Sequence, residues 1–135
     1  ELLYIPFFGW GLAMLKPVAI RRGSPKEAIK QVQTQGIARL KEGVAVLVFP
    51  EGTRMHYGQV GSYKKGGAHL AIDANVPIVP LAHNAGKYWP KRGLVKHPGT
   101  ISVVIGEPIY PEGRSAAELT KLCQEWIEGT LSSLD

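Results

Sequence analysis

Cysteine is almost missing from this chain of 135 residues: Cys123 stands alone, so no internal disulfide can form. It falls on the apolar face of a helical pattern, away from charge, which suits core filling in a reducing compartment better than reactive chemistry. No cluster of Cys and His has zinc-ligand spacing, so no metal is expected. No run of like charge exceeds two residues, as in Arg21-Arg22 and Lys64-Lys65, which argues against nucleic acid as a partner. Gly-x-Gly-x-x-Gly and Gly-x-Ser-x-Gly are both lacking. Gly61-Ser-Tyr-Lys-Lys-Gly66 has the glycine spacing of a Walker loop, but Gly67 stands where that loop needs lysine. Nucleotide, serine-hydrolase and zinc chemistry are thereby disfavoured. The longest uncharged run at the N-terminus, Leu2 to Leu15, falls short of the ~20 residues a spanning helix needs.

What is present is ordinary in amount and informative in arrangement. Hydrophobic residues at 44% and charged residues at 20% fit a globular chain. This length fits one domain that buries about two thirds of its unfolded surface. The net charge of +5 favours anionic partners such as phosphate groups or anionic lipid surfaces. Tyr4, Phe7, Phe8 and Trp10, followed by Lys16, suit a segment that lies at a membrane interface or covers a partner. A core helix broken by Pro6, Gly9 and Gly11 reads equally well. The chain opens on Glu1 with no signal-peptide order, as expected of a piece of a longer protein.

Two helices carry their own start signals. Ser24, Pro25 and Glu27 form an N-cap, a first-turn proline and a capping-box acid, and Ile29, Val32, Ile37 and Leu40 mark one face before Gly43. Ser115 and Glu118 repeat the signal ahead of a stripe of Leu119, Leu122, Cys123, Trp126, Ile127, Leu131 and Leu134. Ala68, Leu70, Ala71 and Ile72 form a shorter helical segment before Asn75. Between these lie apolar runs without alternation. Pro17 to Ile20, Val44 to Phe49, Pro77 to Ala82 and Ile101 to Ile105 read as strands, the second buried on both faces and the third bulged or at an edge because of its proline. Strands alternating with helices predict an α/β fold, with a largely parallel or mixed sheet flanked by helices. Such sheets bind ligands beyond the carboxyl ends of their strands.

Two of those strand ends carry arginine. Arg21 and Arg22 follow Ile20, and Glu51 and Arg54 follow Phe49, while Lys64 and Lys65 can reach the same edge from the returning loop. Guanidinium forks and glycine-turn N–H groups together make an anion site, and phosphate is the commonest anion to need one. Solvated surface charge, with Glu51 and Arg54 as a local pair, is the plainer reading of the same residues.

Phe49-Pro-Glu-Gly-Thr-Arg54 resembles the signature of the glycerolipid acyltransferases, the family of lysophosphatidic acid acyltransferase. Ile5-Pro-Phe-Phe-Gly-Trp10, Ile20-Arg-Arg22, Tyr63-Lys-Lys-Gly66 and Val76-Pro-Ile-Val-Pro80 resemble further stretches of that family, in its order and spacing across nearly the whole chain. The resemblance implies transfer of an acyl group from a thioester, acyl-CoA or acyl carrier protein, to the free hydroxyl of a lysophospholipid. No further cofactor is implied. It also implies roles: Arg22, Arg54 and Lys64 would hold phosphate, and Glu51 would orient the acceptor or an arginine. Gly52 and Thr53 would supply close backbone and a hydroxyl, and Pro80 would shape the acyl or thioester side. Peripheral attachment at the cytoplasmic face of a membrane follows from the same resemblance and from the apolar N-terminal segment.

The chain departs from the family pattern at the general base. That base is a histidine followed five positions later by aspartate, and the motif normally precedes the apolar segment. His69 has Asp73 one position too early, and His56, His83 and His97 have no aspartate at that spacing. The expectation is a single acyltransferase domain over 1–135, the C-terminal portion of an enzyme, inactive by itself because the base lies outside it. His83, at a strand end, is the best-placed substitute. A non-catalytic module that binds anionic lipid is the alternative.

Overall fold

A computed structural model of the chain describes residues 4–15, 17–18, 24–91, 93 and 95–134. It forms two compact units, Glu1–Leu47 and Val48–Asp135.

The first unit holds two helices. Helix α1, Phe8–Met14, begins after Phe7, whose φ of 62° is unusual for a residue with a side chain. Tyr4, Phe7, Phe8 and Trp10 are all exposed, and the Phe7 and Trp10 rings lie 5.1 Å apart. Of the two readings of this segment, the core helix is therefore the one its surface does not match. Helix α2, Pro25–Lys41, starts and stops where its sequence says: the Ser24 hydroxyl accepts from the Glu27 N–H, and Gly43 follows the end at φ 75°. Of the predicted strand from Pro17 to Ile20, Pro17 and Val18 are described and belong to no strand, and Ala19 and Ile20 lie outside the described residues.

The second unit contains the core. Helix α3, Gly66–Ala74, ends at Asn75 in the left-handed conformation. Strand β1, Leu81–His83, leads through a four-residue helix α4, Ala85–Tyr88, to strand β2, Val103–Ile105. Helix α5, Ala116–Leu131, closes the unit with a full capping box: Glu118 accepts from the Ser115 N–H while the Ser115 hydroxyl accepts from the Glu118 N–H. The bonds that the Glu118 carboxylate accepts from the Ser115 N–H and from the Ser115 hydroxyl lower its pKa from the ordinary value. Helix α5 lies against α3 and β1, and Leu119, fully buried, meets Ala68, Ala116, Ile72, Ile78 and Ile109. Cys123 is buried and free, and burial pushes its thiol up, in line with core filling.

The α/β class holds, as the likeness to a solved structure reported below shows, but two strand expectations need correcting. First, β1 and β2 pair antiparallel, Leu81 with Ile105 and His83 with Val103. A parallel pair needs a crossover with a covering helix, and although the connection over residues 84–102 is long enough for one, its helix α4 has only four residues, too few to run back along a sheet face. Pro80 shortens the ladder. It has no N–H, and it separates the Leu81–Ile105 pairing from a bridge between Ile78 and Ile109. Second, Val44 to Phe49 pairs with no strand among the described residues, and Leu47 and Phe49 are 72% and 65% exposed. An apolar run becomes a buried strand only when neighbours complete its ladder and cover its faces.

The seam between β1 and α5 excludes side chains at one position. A Cβ on Gly106 would stand 2.6 Å from the Trp126 indole and 3.0 Å from Pro80 Cγ, so glycine is required for strand and helix to close.

Candidate functional site

The charged residues after Phe49 sit on a tight turn with a clear local cause. The Gly52 N–H donates to the Phe49 carbonyl at 3.1 Å, closing a four-residue turn with Pro50 at its second position. Proline fixes φ there, and Gly52 takes φ 68°, which a residue with a Cβ adopts only at a cost. Chain direction reverses, and Glu51, half-buried, is followed by exposed Gly52, Thr53 and Arg54.

The returning loop is tied to this turn. The Lys64 N–H donates to the Pro50 carbonyl at 2.8 Å, which sets the exposed Lys64 beside the turn. Gly61 lies against the turn too: a Cβ there would be 3.2 Å from Glu51 Cγ and 3.1 Å from Met55. A side chain at Gly61 would make the flexible Met55 and Glu51 side chains shift by a few tenths of an ångström. Directly after Lys64 and Lys65, α3 begins at Gly66 with no side-chain cap on its first N–H groups, so the helix's positive end joins the two lysines. Turn, lysines and helix start make a cation-rich corner able to hold an anion.

Tyr63 anchors that corner. Its ring is buried, and its hydroxyl donates to Glu128 Oε1 of α5 at 2.9 Å. Burial, the Glu128 bond and carboxylate, and then the Glu51 carboxylate all push the phenol far above its ordinary value, so it stays a donor. Tyr63→Phe should lower stability by about 1–2 kcal/mol, because it leaves a half-buried carboxylate without that donor. Urea unfolding measures it, and the same cost from Glu128→Gln, which keeps an acceptor, would contradict it.

The predicted site residues are thus partly assembled. Backbone bonds and the Gly61 contact bring Glu51, Gly52 and Lys64 together, and Thr53 and Arg54, both exposed, follow next in the chain. Arg22 lies outside the described residues. Pro80 is buried at the other end of α5's reach, its carbonyl accepting from the Gly106 N–H at 2.9 Å, and it lines the seam under Trp126. His83 makes a local bond: its Nδ1 accepts from the Ala85 N–H at 3.3 Å, at the start of α4. His69 is exposed on α3. No group of three or more His, Cys, Asp or Glu able to hold a metal ion occurs among the described residues.

Two residues escape sequence reasoning. Glu128 has a partner 65 positions away, which no local pattern announces. Asn84 is buried and uses both ends of its amide: Nδ2 donates to the Leu134 carbonyl at 3.3 Å, and Oδ1 accepts from the Ser102 N–H at 2.9 Å. It locks the end of β1 to the segment before β2 and to the chain after α5. A polar residue directly after a buried strand was the available signal.

The Acyltransferase family model matches residues 1–84, which include the turn, Lys64 and Pro80. The chain belongs to the Acyltransferase family. It is 53% identical to a 1-acyl-sn-glycerol-3-phosphate acyltransferase of Pseudomonas aeruginosa, over 99% of this chain and 53% of that protein. A chloroplastic 1-acyl-sn-glycerol-3-phosphate acyltransferase of Brassica napus is 36% identical over 90% of this chain and 34% of its own length. Among solved structures, the crystal structure of the 1-acyl-sn-glycerophosphate (LPA) acyltransferase PlsC of Thermotoga maritima superimposes with a TM-score of 0.83 at 33% identity, covering 99% of this chain and 54% of that one. The acyltransferase chain therefore spans about half the length of its Pseudomonas relative and about a third of the Brassica one. Glu128 and all of α5 lie beyond the part that the family model matches.

Proposed function

We propose that the protein transfers a fatty acyl group from a thioester to the free hydroxyl of lysophosphatidic acid, giving phosphatidic acid in phospholipid biosynthesis. The observation that carries this reading is the corner of Glu51, Arg54 and Lys64 on the Phe49–Gly52 turn, in a chain 53% identical to a protein of that name. A phosphomonoester needs cations and open N–H groups, and the corner supplies both. In the reaction the acceptor's hydroxyl oxygen attacks the thioester carbonyl carbon. The C–O bond forms, the C–S bond breaks, and the thiol leaves with a proton. The general base takes the hydroxyl's proton and returns it to the sulfur, so the proton that leaves on the thiol is the acceptor's own.

Acceptor phosphate would be held by Arg54 and Lys64, with Arg22 as a third cation, while Glu51 orients the acceptor or an arginine. Thr53 adds a hydroxyl, and Pro80 shapes the acyl side. The thioester, from coenzyme A or acyl carrier protein, is a co-substrate and no other cofactor enters. The base would be a histidine, oriented by an aspartate, outside these 135 residues, and the chain alone would be inactive. His83 is a poor substitute because its Nδ1 is engaged with the Ala85 N–H. Attachment would be peripheral, at the cytoplasmic face, and the exposed Phe7, Phe8 and Trp10 support it. No helix among the described residues is long and apolar enough to cross a membrane.

The deciding experiment measures thioester-dependent acylation of lysophosphatidic acid by the protein with its upstream sequence and by the 135-residue chain. Activity in the former and none in the latter is expected. Those same exposed rings favour one other reading, a module that binds anionic lipid without chemistry. Lipid binding with no acylation of any lysophospholipid would establish that reading instead.

A further inference from the structure

Charge is unevenly spread along the chain. Residues 74–106 contain no aspartate or glutamate, yet they carry Lys87, Lys91, Arg92 and Lys96, which account for four of the net five positive charges. Lys87, Lys91 and Lys96 lie in the connection between β1 and β2, Lys87 within α4.

That loop is fixed at its base. The Trp89 N–H donates to the Ala85 carbonyl at 2.9 Å as α4 ends, and the His97 N–H donates to the Tyr88 carbonyl at 2.9 Å, closing the loop on itself. Tyr88, half-buried, packs on Gly99, where a Cβ would overlap its ring. The Gly93 N–H donates to the Pro90 carbonyl and folds the tip. Beyond this base the apolar groups turn outward: Trp89 is 55% exposed and Val95 is 66% exposed. The Lys96 ammonium stands 4.6 Å from the centre of the Trp89 ring, and Lys87 is exposed on the last turn of α4. Arg92 and Leu94 lie outside the described residues.

Trp89 and Val95 present apolar surface together with the Lys96 ammonium, a combination that matches a boundary both apolar and anionic. A protein partner rich in carboxylates would satisfy the cations and leave Trp89 and Val95 wet. The boundary of an anionic bilayer satisfies both, since the indole sits at headgroup level and the ammonium groups reach phosphate. We propose that the loop from Lys87 to His97 is a contact site for an anionic lipid surface, with Trp89 and Val95 entering the headgroup layer and Lys87, Lys91 and Lys96 pairing with lipid phosphates. The contact uses residues of the second unit only, and it goes beyond the acyltransferase reading because lipid binding requires no acyl transfer.

The test is partitioning of the protein onto sedimentable vesicles of phosphatidylcholine, with and without phosphatidylglycerol. Each cation near an anionic surface strengthens partitioning about fivefold. The triple variant Lys87→Glu, Lys91→Glu, Lys96→Glu should therefore lose at least about tenfold on the anionic vesicles and little on phosphatidylcholine. Trp89→Ala should weaken both, with circular dichroism checking that the fold survives. A second measurement works even if the triple variant misfolds: lipids brominated near the headgroup should quench the fluorescence that wild type shows over Trp89→Phe. Unchanged partitioning in both variants, or no quenching of that difference signal, overturns the proposal. So does loss of binding to purified acyl carrier protein or to an oligonucleotide while vesicle partitioning stays intact. None of these readouts depends on whether the acylation assay succeeds.

Discussion

Replacing Arg54 by alanine is expected to lower kcat/KM for the lysophosphatidic acid acceptor about 10- to 100-fold, mostly through KM, while KM for the thioester changes little. The physical reason is where Arg54 stands. It follows, two positions on, a turn whose direction is set by Pro50 and by the positive φ of Gly52, and its side chain is exposed to solvent. A guanidinium can meet two phosphate oxygens at once, and such charge-assisted bonds are worth about 1.5–3 kcal/mol each, less where water and salt screen them. Arg54→Lys keeps the charge and loses the fork, so it should recover only part of the acceptor affinity. Steady-state kinetics with acceptor and thioester varied separately make the comparison. Equal losses on both substrates would mean that Arg54 does not hold the acceptor, and a fall in kcat alone would move it into the reacting centre.

What made that corner legible in the sequence was its locality. Pro50, Gly52 and the i to i+3 bond that joins Phe49 to Gly52 belong to one short stretch, and turn chemistry of that kind needs no information from elsewhere in the chain. The helix starts were legible for the same reason. Ser24 with Glu27 and Ser115 with Glu118 close their bonds within three residues, and both helices begin at the next position.

Strands are different, because a ladder exists only when its partner does. Pro77 to Ala82 and Ile101 to Ile105 did become parts of one sheet, yet nothing within either run says that they meet antiparallel with Ile105 opposite Leu81. Val44 to Phe49 has the composition of a buried strand but, among the described residues, no strand partner, and Leu47 and Phe49 stay exposed. Its continuation still forms the Phe49–Gly52 turn, because that turn is closed by local bonds and does not depend on a strand before it. Side-chain pairs between distant residues were the least visible. The bond that seats Tyr63 on Glu128 spans 65 positions, and the histidines could be judged only once the Nδ1 of His83 was seen to serve a backbone N–H.

The second large effect is expected at Leu119, where alanine should cost about 3–4 kcal/mol and lower the unfolding midpoint by roughly 10 °C. Leu119 has no exposed surface, and it stands one turn inside α5, where helix, α3 and the Ile78–Ile109 bridge converge. Ala68 and Ala116 beside it are too small to move into the space, so most of the cavity would remain. Leu122 supplies the internal comparison. It belongs to the same apolar stripe in sequence but is 39% exposed, so Leu122→Ala should cost less than about 1.5 kcal/mol. Urea unfolding of the two variants tests how α5 is rotated on its core. If Leu122→Ala destabilised as much as Leu119→Ala, the helix would have to be turned toward Leu122. That rotation would carry Glu128 away from Tyr63 and loosen the corner that holds Lys64, because the same helix supports both the core and the site.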